Sequence, residues 1–382
     1  MSAMAEPPRA TLAQGGLRGW VLRLLSRPEI QGRAARLPFG RRLARRDGAE
    51  IFDILQGFVK SQVLLALVET GVLRALLEGP RAPADLAARA GLSTPRMAAL
   101  MQGGAALGLL RRRRDGRFAL ARRGAVILGV PGLEAMIRHN RAFYADMADP
   151  VALLRGEGET GLARFWPYVF GQRGEVPPEV AARYSDLMAQ SQVLVARDVL
   201  DAVPLAGARR LMDVGGGTGA FVTAALRATP GLEAVLVDLP EVLEGARARL
   251  AAADLTGRVT LCPMSFRESA LPEGADTVSL VRVLYDHADD TVRALLARVH
   301  DALPSGGRLI VAEPMAGGAR PEVAGDLYFA FYTMAMGTGR ARSAEEIGAL
   351  CRAAGFTVRQ SPRPTRPYVT SVLVCEKPED GR

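Results

Sequence analysis

The stretch that most constrains the fold is a glycine-rich run, Gly215 to Gly219, placed between two apolar segments. The segment before it, 211–214, is short enough for one buried strand, and the alanine-rich segment after it, 220–226, is typical of a helix. A strand, a tight glycine turn and a helix in this order open a doubly wound α/β sheet with its ligand at the turn. We therefore expect an α/β domain with a largely parallel sheet in the second half of the chain.

Acidic residues flank these glycines at a spacing that narrows the choice of ligand. One acid stands two residues before the first of three alternating glycines: Asp213, Gly215, Gly217 and Gly219. A dinucleotide-binding turn has a different spacing, G-x-G-x-x-G, and seats a pyrophosphate. A second acid, Asp238, closes the next predicted strand, where a carboxylate can accept hydrogen bonds from both hydroxyls of a ribose. The alternative is that Asp238 only caps a helix that begins near Pro240.

The D-x-G-x-G-x-G pattern and the second acid resemble motif I and the following strand of class I S-adenosylmethionine (SAM) methyltransferases. SAM carries a cationic amino-acid tail and no phosphate, so an acid at the end of the first strand is chemically suitable. The resemblance implies a Rossmann-like domain that takes SAM as its cofactor. It also implies further cofactor-contacting residues along the chain: Leu239, Ser265, Phe266 and Arg282.

Composition bounds the class of protein. The chain has 382 residues, enough for two or three domains, and a net charge of +9 that is carried almost wholly by arginine. Arginine is dense near the start, so this arm could rest on an anionic membrane surface or form a solvated, partly disordered tail. No apolar run is long enough to span a bilayer and the start lacks a signal-peptide core, so we expect a cytoplasmic protein. The three cysteines are widely spaced, and we expect no metal site.

Local patterns divide the chain into four predicted segments: a basic, partly disordered extension at 1–48, a winged-helix module at 49–130, a helical linker and substrate lid at 131–200, and the SAM-binding domain at 201–382. The second segment shows helical spacing followed by a hairpin with Asp115-Gly116 at its turn. The third segment holds much of the aromatic content of the chain: Phe143, Tyr144, Phe165, Trp166, Tyr168 and Phe170.

The winged-helix module has two possible roles. The run Arg111–Arg114 would suit contact with DNA phosphates. The helix over 96–107, which such proteins use to read bases, is poor in exposed polar side chains that reach base edges. The module is similar to the dimerisation domain of the plant-type small-molecule O-methyltransferases and their bacterial relatives. That resemblance implies a homodimer and no nucleic-acid partner.

Methyl transfer needs a group that takes a proton near the end of the fourth strand, in the segment 282–289. In the plant-type family this segment reads K-x-x-x-H-D-W-x-D, and its His is the general base. Here Tyr285 occupies the His position, Asp286 matches the Asp, and His287 stands where Trp is usual. Glu313 matches a family glutamate that steadies the base. We therefore predict four catalytic residues, with His287 or a water held by Tyr285 as the proton acceptor.

The acceptor is suggested by a resemblance over nearly the whole length, from 36–40 through 283–287, to the carotenoid-modifying O-methyltransferases of purple bacteria. It implies methylation of a tertiary hydroxyl of an acyclic, apolar carotenoid and contact with the photosynthetic membrane. The aromatic and methionine-rich stretch 328–336 would line such a pocket, or is simply a buried helix. Three alternatives stay open: a bacteriochlorophyllide C-methyltransferase, a phenolic O-methyltransferase, and a SAM-sensing winged-helix regulator that binds DNA and catalyses nothing.

Overall fold

A computed structural model describes residues 16–34, 36–165 and 192–379 of the chain. The chain divides into two compact units, the first formed by Met1–Ala75 with Gly79–Ala119, the second by Leu76–Glu78 with Leu120–Arg382. Three residues of the predicted aromatic cluster, Trp166, Tyr168 and Phe170, lie outside the described residues. The four predicted segments are finer than these two units, and their boundaries stay predictions.

The first unit is helical with one short hairpin. Its elements are α1 (Leu17–Leu25), α2 (Pro28–Ala34), α3 (Pro38–Leu55), α4 (Gly57–Glu69), α5 (Val72–Leu77), α6 (Pro83–Ala87), α7 (Thr94–Ala106), β1 (Leu110–Arg112) and β2 (Phe118–Leu120). The extension, which we predicted to be partly disordered, forms helices through most of its described part. Pro28 and Pro38 each occupy the first position of a helix, where proline is favoured because its missing N–H needs no partner.

The hairpin forms the wing of the predicted winged-helix module, and α7 is the helix before it. Gly116 adopts φ = +81° at the turn, and the Asp115 side chain accepts a hydrogen bond from the Arg117 amide at 3.1 Å. The helix α7 packs closely at Gly104, where an added Cβ would lie 2.9 Å from a methyl carbon of Leu67 in α4. The helical module with its hairpin is therefore confirmed.

The second unit is built around a large sheet. Its helices are α8 (Arg122–Gly129), α9 (Leu133–Asp146), α10 (Pro150–Arg155), α11 (Gly161–Phe165), α12 (192–202), α13 (Ala220–Ala228), α14 (Pro240–Ala252), α15 (Asp289–Ala302), α16 (Ala330–Met336) and α17 (Ala344–Ala353). Its strands are β3 (Arg210–Val214), β4 (Glu233–Asp238), β5 (Val259–Pro263), β6 (Thr277–Val281), β7 (Arg308–Glu313), β8 (Met315–Ala316), β9 (Arg342–Ser343), β10 (Thr357–Gln360) and β11 (Ser371–Glu376).

The seven-stranded sheet has the order β10-β11-β7-β6-β3-β4-β5. The five strands from β7 to β5 in that order run parallel, while β11 is antiparallel to β7 and β10 is antiparallel to β11. The chain leaves β3 toward β4 on one side and returns to β6 on the other. A parallel sheet opens a ligand-binding crevice at such a switch point, at the carboxyl ends of its strands.

Both faces of the sheet are covered. On β3 the side chains alternate, so that Met212 and Val214 join a buried cluster with α15 and α17, while Leu211 joins a second cluster with α12, α13 and α14. Strands that are apolar on both faces are typical of parallel sheets buried between helical layers. The frame that carries the loops at the strand ends is therefore fixed on both sides.

The aromatic stretch before β9 begins as a π-helix over Val323–Phe329 and continues as α16. Tyr332, Ala335 and Met336 of α16 are buried against Phe143 of α9. One face of the stretch is thus buried, and its first turns have the wide form that is rare in proteins and frequent at functional sites.

Within the described part of the chain, no single helix has the length and apolar composition to cross a bilayer. The helices α3 and α4 meet that test only as a pair, and the pair is bent by 47°. This result rests on length and composition alone.

An ion pair ties α12 to the segment before β11, and it provides a test of the packing. Arg366 donates two hydrogen bonds of 2.8 and 2.6 Å to Asp198, which is almost fully buried. We expect Arg366→Met to lower the free energy of unfolding by about 3 kcal/mol, because it leaves a buried carboxylate without its counter-ion. Urea denaturation followed by circular dichroism measures the change.

The matched control is Arg359→Met, which removes a guanidinium from the more exposed pair with Glu376. Solvent weakens such a pair, so this change should cost less than about 1 kcal/mol. Equal losses for the two variants would contradict the role given to the Arg366 pair.

Candidate active site

The glycine loop after β3 is shaped by left-handed backbone. Gly215, Gly217 and Gly219 adopt φ values of +69°, +60° and +73°, which residues that have a Cβ rarely adopt. A Cβ on Gly215 would lie 2.9 Å from a methyl carbon of Val283, so this loop packs tightly against the turn after β6. A Cβ on Gly217 would meet no described atom within 4 Å. The loop therefore leaves open space at Gly217, where a ligand could approach the backbone.

Asp213 lies beneath this loop. Its side chain is fully buried, and its Oδ1 accepts a hydrogen bond of 2.5 Å from the Ser279 hydroxyl. Burial raises the pKa of Asp213 to about 7, although the Ser279 hydrogen bond opposes that rise. A Cβ on Gly216 would lie 2.3 Å from Asp213 Oδ2, so the carboxylate fills the space under the loop. Its predicted contact with the tail of SAM stays a prediction.

Asp238 joins two loops at the switch point. Its Oδ2 accepts a hydrogen bond of 2.7 Å from the Gly217 amide, and its Oδ1 accepts one of 2.7 Å from the Leu239 amide. Burial raises the pKa of Asp238, and the two amide hydrogen bonds oppose the rise. The helix α14 begins at Pro240 as predicted, but no side chain caps it; Asp238 instead joins the glycine loop to Leu239, the residue before the helix. Its remaining lone pairs are suited to ribose hydroxyls.

The loop after β5 contacts the turn after β6 through His287. The rings of Phe266 and His287 meet edge to face with centroids 5.4 Å apart. Arg267 Nη2 lies 3.0 Å from His287 Nδ1. The Ser265 hydroxyl accepts a hydrogen bond from the Arg267 amide at 3.2 Å. The structure thus brings the predicted residues Ser265, Phe266 and His287 to one wall of the site.

The same contacts disfavour the prediction that His287 is the general base. A guanidinium can only donate, so Nδ1 of His287 is the acceptor and the proton of the neutral ring is on Nε2. Burial lowers the pKa of His287 to about 3, with the charges of Arg267 and Arg342 adding to the effect. An imidazole whose lone pair is occupied and whose pKa is so low is a poor proton acceptor. Its place in this structure is that of a wall residue.

We call residues 282–287, the turn that follows β6, the β6 turn. Glu313 accepts hydrogen bonds from its backbone amides. Glu313 Oε1 accepts hydrogen bonds from the Val283 and Leu284 amides at 2.9 and 2.7 Å, and Oε2 lies 3.4 Å from the Tyr285 amide. Burial raises the pKa of Glu313 to about 7 against these hydrogen bonds. The resemblance implied that Glu313 steadies the catalytic side chain. In the structure it steadies the backbone that carries that side chain.

Arg342 holds the carbonyl groups of the same turn. Its guanidinium, which is almost fully buried, donates to Leu284 O at 2.7 Å and to His287 O at 2.8 Å, and it pairs with Asp289 at 2.6 Å. We did not predict a role for Arg342 from the sequence. It is one of forty-seven arginines in a chain with two lysines, so neither residue type nor local pattern distinguished it.

The side chains of the β6 turn form a buried polar group. Arg282, which has an unusual φ of +58°, donates a hydrogen bond of 3.2 Å to the Tyr285 hydroxyl. Burial raises the pKa of Tyr285 despite the nearby guanidinium. Burial and the charge of Glu313 raise the pKa of Asp286 well above its ordinary value, while Arg282 and the Tyr285 hydroxyl oppose that rise. Among the described residues, Asp286 Oδ1 is buried without a hydrogen-bond partner.

Aromatic and polar side chains line the face of the site next to Tyr285. The Tyr285 and Phe329 rings meet edge to face at 6.4 Å. On the neighbouring helix α9, His139 lies 2.8 Å from the Tyr332 hydroxyl, and Asn140 accepts a hydrogen bond of 2.8 Å from the Tyr328 hydroxyl. His139 and Asn140 were missed. The one sequence feature that could have identified His139 and Asn140 is that they share a helical face with Phe143. That face can be recognised only when the ends of the helix are known.

Another face of α16 adjoins a cavity of about 880 Å³. Ala330, Thr333 and Met334 line it together with the loop over 153–160. Its volume is within the range of small-molecule sites. Tyr285 does not line it, but Thr338 does, and the Thr338 hydroxyl donates a hydrogen bond of 2.9 Å to Asp286 O on the β6 turn.

Comparison with known proteins identifies two matched regions. Residues 144–357 match the model of an O-methyltransferase domain, and residues 52–129 match the model of an O-methyltransferase dimerisation domain. The chain is 56% identical over 381 residues to demethylspheroidene O-methyltransferase of Cereibacter sphaeroides, covering all of both chains. It is 50% identical to the protein of the same name from Rhodobacter capsulatus, covering 97% of this chain and 92% of the relative.

Solved structures agree with the fold. The mitomycin 7-O-methyltransferase MmcR is 28% identical with a TM-score of 0.72, covering 88% of this chain and 99% of that one. The calicheamicin methyltransferase CalO1, solved with S-adenosylhomocysteine bound, is 26% identical with a TM-score of 0.73, covering 86% of this chain and 98% of that one. SAM is therefore the cofactor of this chain, and the dimerisation domain supports a homodimer.

The bridge made by Asp238 can be tested by SAM binding. We expect Asp238→Asn to weaken SAM binding by about 10- to 100-fold, because the amide loses the charge and one of two acceptor oxygens. Isothermal titration calorimetry measures the affinity. Glu244→Gln, which removes one charge from an exposed position of α14, is the matched control and should bind SAM as the wild type does. Equal SAM affinities for Asp238→Asn and wild type would contradict the role of Asp238 in joining the two loops at the SAM site.

The low pKa of His287 predicts an acid-side loss of stability. The unfolded imidazole takes up a proton near its ordinary pKa of 6.5, whereas the folded one stays neutral down to about 3. The contribution of His287 is therefore full above pH 6.5 and falls as the pH falls through 6.5 toward 3, by about 2 kcal/mol at pH 5.

We expect His287→Gln to lose less stability than wild type between pH 7 and pH 5, since a glutamine oxygen can accept from Arg267 and does not titrate. Urea denaturation at the two pH values measures the difference. Identical losses would contradict a buried neutral imidazole.

Proposed function

Since the chain belongs to the O-methyltransferase family that carries an N-terminal dimerisation domain, we propose that it methylates the tertiary 1-hydroxyl of an acyclic carotenoid such as demethylspheroidene, using SAM. The observation that supports this acceptor is the 56% identity over the full chain to demethylspheroidene O-methyltransferase. Identity at that level along both units, rather than in the SAM-binding core alone, argues for a shared acceptor as well as a shared cofactor.

The residues around the glycine loop fit SAM. The open space at Gly217 admits a ligand to the backbone, and Asp238 stands at its edge with free lone pairs. Bound SAM supplies an electrophilic methyl group. The chain must then hold the acceptor hydroxyl in line with that group, exclude water and receive the hydroxyl proton.

The chemistry of a tertiary alcohol explains why the His of the plant-type pattern can be absent. An alcohol is a far weaker acid than a phenol, so a base gains little by removing its proton before methyl transfer. As the new O–C bond forms, the oxygen becomes positively charged and the proton becomes strongly acidic. A modest acceptor that is correctly placed is then sufficient.

We infer that Tyr285 and Asp286 receive that proton together. Arg282 donates to the Tyr285 oxygen, which orients the phenol and leaves its own proton free to be given away. The Tyr285 hydroxyl favours the charged form of the Asp286 carboxylate, whose buried Oδ1 has no described partner. The acceptor proton passes to the Tyr285 oxygen as the Tyr285 proton passes to Asp286, and both charges are balanced at the end.

The substrate assignment is tested with purified protein, isotopically labelled SAM and three acceptors: demethylspheroidene, a bacteriochlorophyllide and a simple phenol. We expect label in a methoxy carotenoid, identified by chromatography and mass spectrometry. Label in the bacteriochlorophyllide or the phenol, with none in the polyene, would replace the proposed acceptor with that one.

The proton route is tested in the same assay. We expect Asp286→Asn to lower the turnover number by about 100-fold, the lower end of the range for proton-transfer catalysis, because a modest acceptor is sufficient here. SAM affinity should not change, since Asp286 makes no described contact with the glycine loop. Tyr285→Phe should also slow turnover.

His287→Gln is the control on the same turn and should keep nearly full turnover. Retained activity in Asp286→Asn together with loss in His287→Gln would return the base to His287 and overturn the proposed route.

A further inference from the structure

The net positive charge of the chain is concentrated in one short segment, residues 16–46, here called the basic segment. It contains nine arginines and one acid, for a net charge of +8 against +9 for the whole chain. The arginines are Arg18, Arg23, Arg27, Arg33, Arg36, Arg41, Arg42, Arg45 and Arg46. The remaining residues are therefore almost neutral, although they too are rich in arginine. The charge is a local property of this segment.

The same segment exposes large apolar side chains. In α1, Leu17 is 80% exposed and Trp20 is 56% exposed, and in α3 Phe39 is 83% exposed. Neither of these two described helices buries a single residue. A surface that shows a tryptophan, a phenylalanine and several leucines to solvent is typical of an interaction site.

Charge and apolar surface occupy different sides of α3. At 3.6 residues per turn, Arg41, Arg42, Arg45 and Arg46 fall on one side of the helix. In the part of α3 before the dimerisation-domain match, the exposed apolar residues Phe39, Leu43 and Ile51 fall on the other side, beside the acids Asp47 and Glu50. A helix that has a basic face and an apolar face is suited to lie in the plane of a membrane interface.

From these observations we propose that the basic segment docks the protein on an anionic lipid surface. The arginines would contact acidic headgroups, while Trp20, Leu17 and Phe39 enter the boundary between headgroups and acyl chains. Tryptophan favours that boundary, and Trp20 is one of only two tryptophans in the chain. The inference rests on this segment alone and does not require the proposed acceptor, although a lipid-soluble acceptor would be met at such a surface.

Charge also distinguishes a lipid surface from the other candidate partners of the basic segment. A second copy would bring another segment of +8 against the first, and the two would repel. The matched dimerisation domain begins at residue 52, so α1, α2 and most of α3 are outside it. A nucleic acid would satisfy the arginines and leave the apolar face of α3 in water. An anionic bilayer satisfies both faces.

The test is co-sedimentation of the full chain with vesicles of phosphatidylcholine alone or mixed with phosphatidylglycerol. We expect binding to the mixed vesicles and release at high salt, because salt screens the attraction. The triple variant Arg41→Gln, Arg42→Gln, Arg45→Gln should bind about 100-fold more weakly, from the usual contribution of each basic residue near an anionic surface. Trp20→Ser should also reduce binding.

The matched control is Arg111→Gln, Arg112→Gln, Arg114→Gln, which removes the same charge from exposed positions at the hairpin. This control should bind the mixed vesicles as the wild type does. Wild-type protein that stays in the supernatant, or equal losses for the two triple variants, would overturn the proposal.

Two further outcomes would assign the segment to another occupant. If sedimentation velocity shows that the Arg41, Arg42 and Arg45 variant changes its oligomeric state and keeps vesicle binding, a second copy covers the segment. If duplex DNA binds with the same salt dependence and vesicles do not, a nucleic acid is the partner. The assays use neither SAM nor a carotenoid, so their failure is distinct from failure of the proposed function.

Discussion

The turn after β6 is held by two buried charges that act from opposite sides, and the proposed chemistry depends on this arrangement. Glu313 takes the amides of residues 283–285, while Arg342 takes the carbonyl groups of Leu284 and His287. Between them they hold five polar backbone groups of the turn, three amides and two carbonyl groups. The side chains of Tyr285 and Asp286 are therefore positioned by backbone fixation, and their neighbours need not contact them directly.

This fixation explains how much of the site could be predicted from the sequence. The glycine loop, Asp238, the end strands and the hairpin follow from local patterns of turn residues, apolar runs and carboxylates at strand ends. The hold on the β6 turn does not, because its partners are backbone groups 28 to 58 residues away in the chain. Every residue has backbone donors and acceptors, so the residue type does not indicate which of them are bound by a charged side chain. In a chain with many arginines, the sequence also does not indicate which arginine is buried.

His287 illustrates the same limit from the other direction. Its residue type suggested a base, since an isolated imidazole titrates near neutral pH. The contact that decides its chemistry is with Arg267, in the loop after β5, and the sequence gives no indication that the two meet. Composition had a similar ambiguity in the first unit. A bias toward arginine throughout the chain concealed the fact that almost all of the net charge lies within residues 16–46.

The π-helix before α16 has a consequence for how this pocket can diverge. A π-turn holds one residue more than an α-turn, so deleting one residue within Val323–Phe329 would restore an ordinary helix without breaking the chain path. Because the wide turn takes up the extra residue, such a deletion would change which side chains within 323–329 face inward while α16 keeps its orientation. A single-codon deletion could thus present a different set of rings to the acceptor while the glycine loop and the sheet stay as they are. Descendants of such a gene could explore new acceptors in one genetic step and keep the same methyl donor.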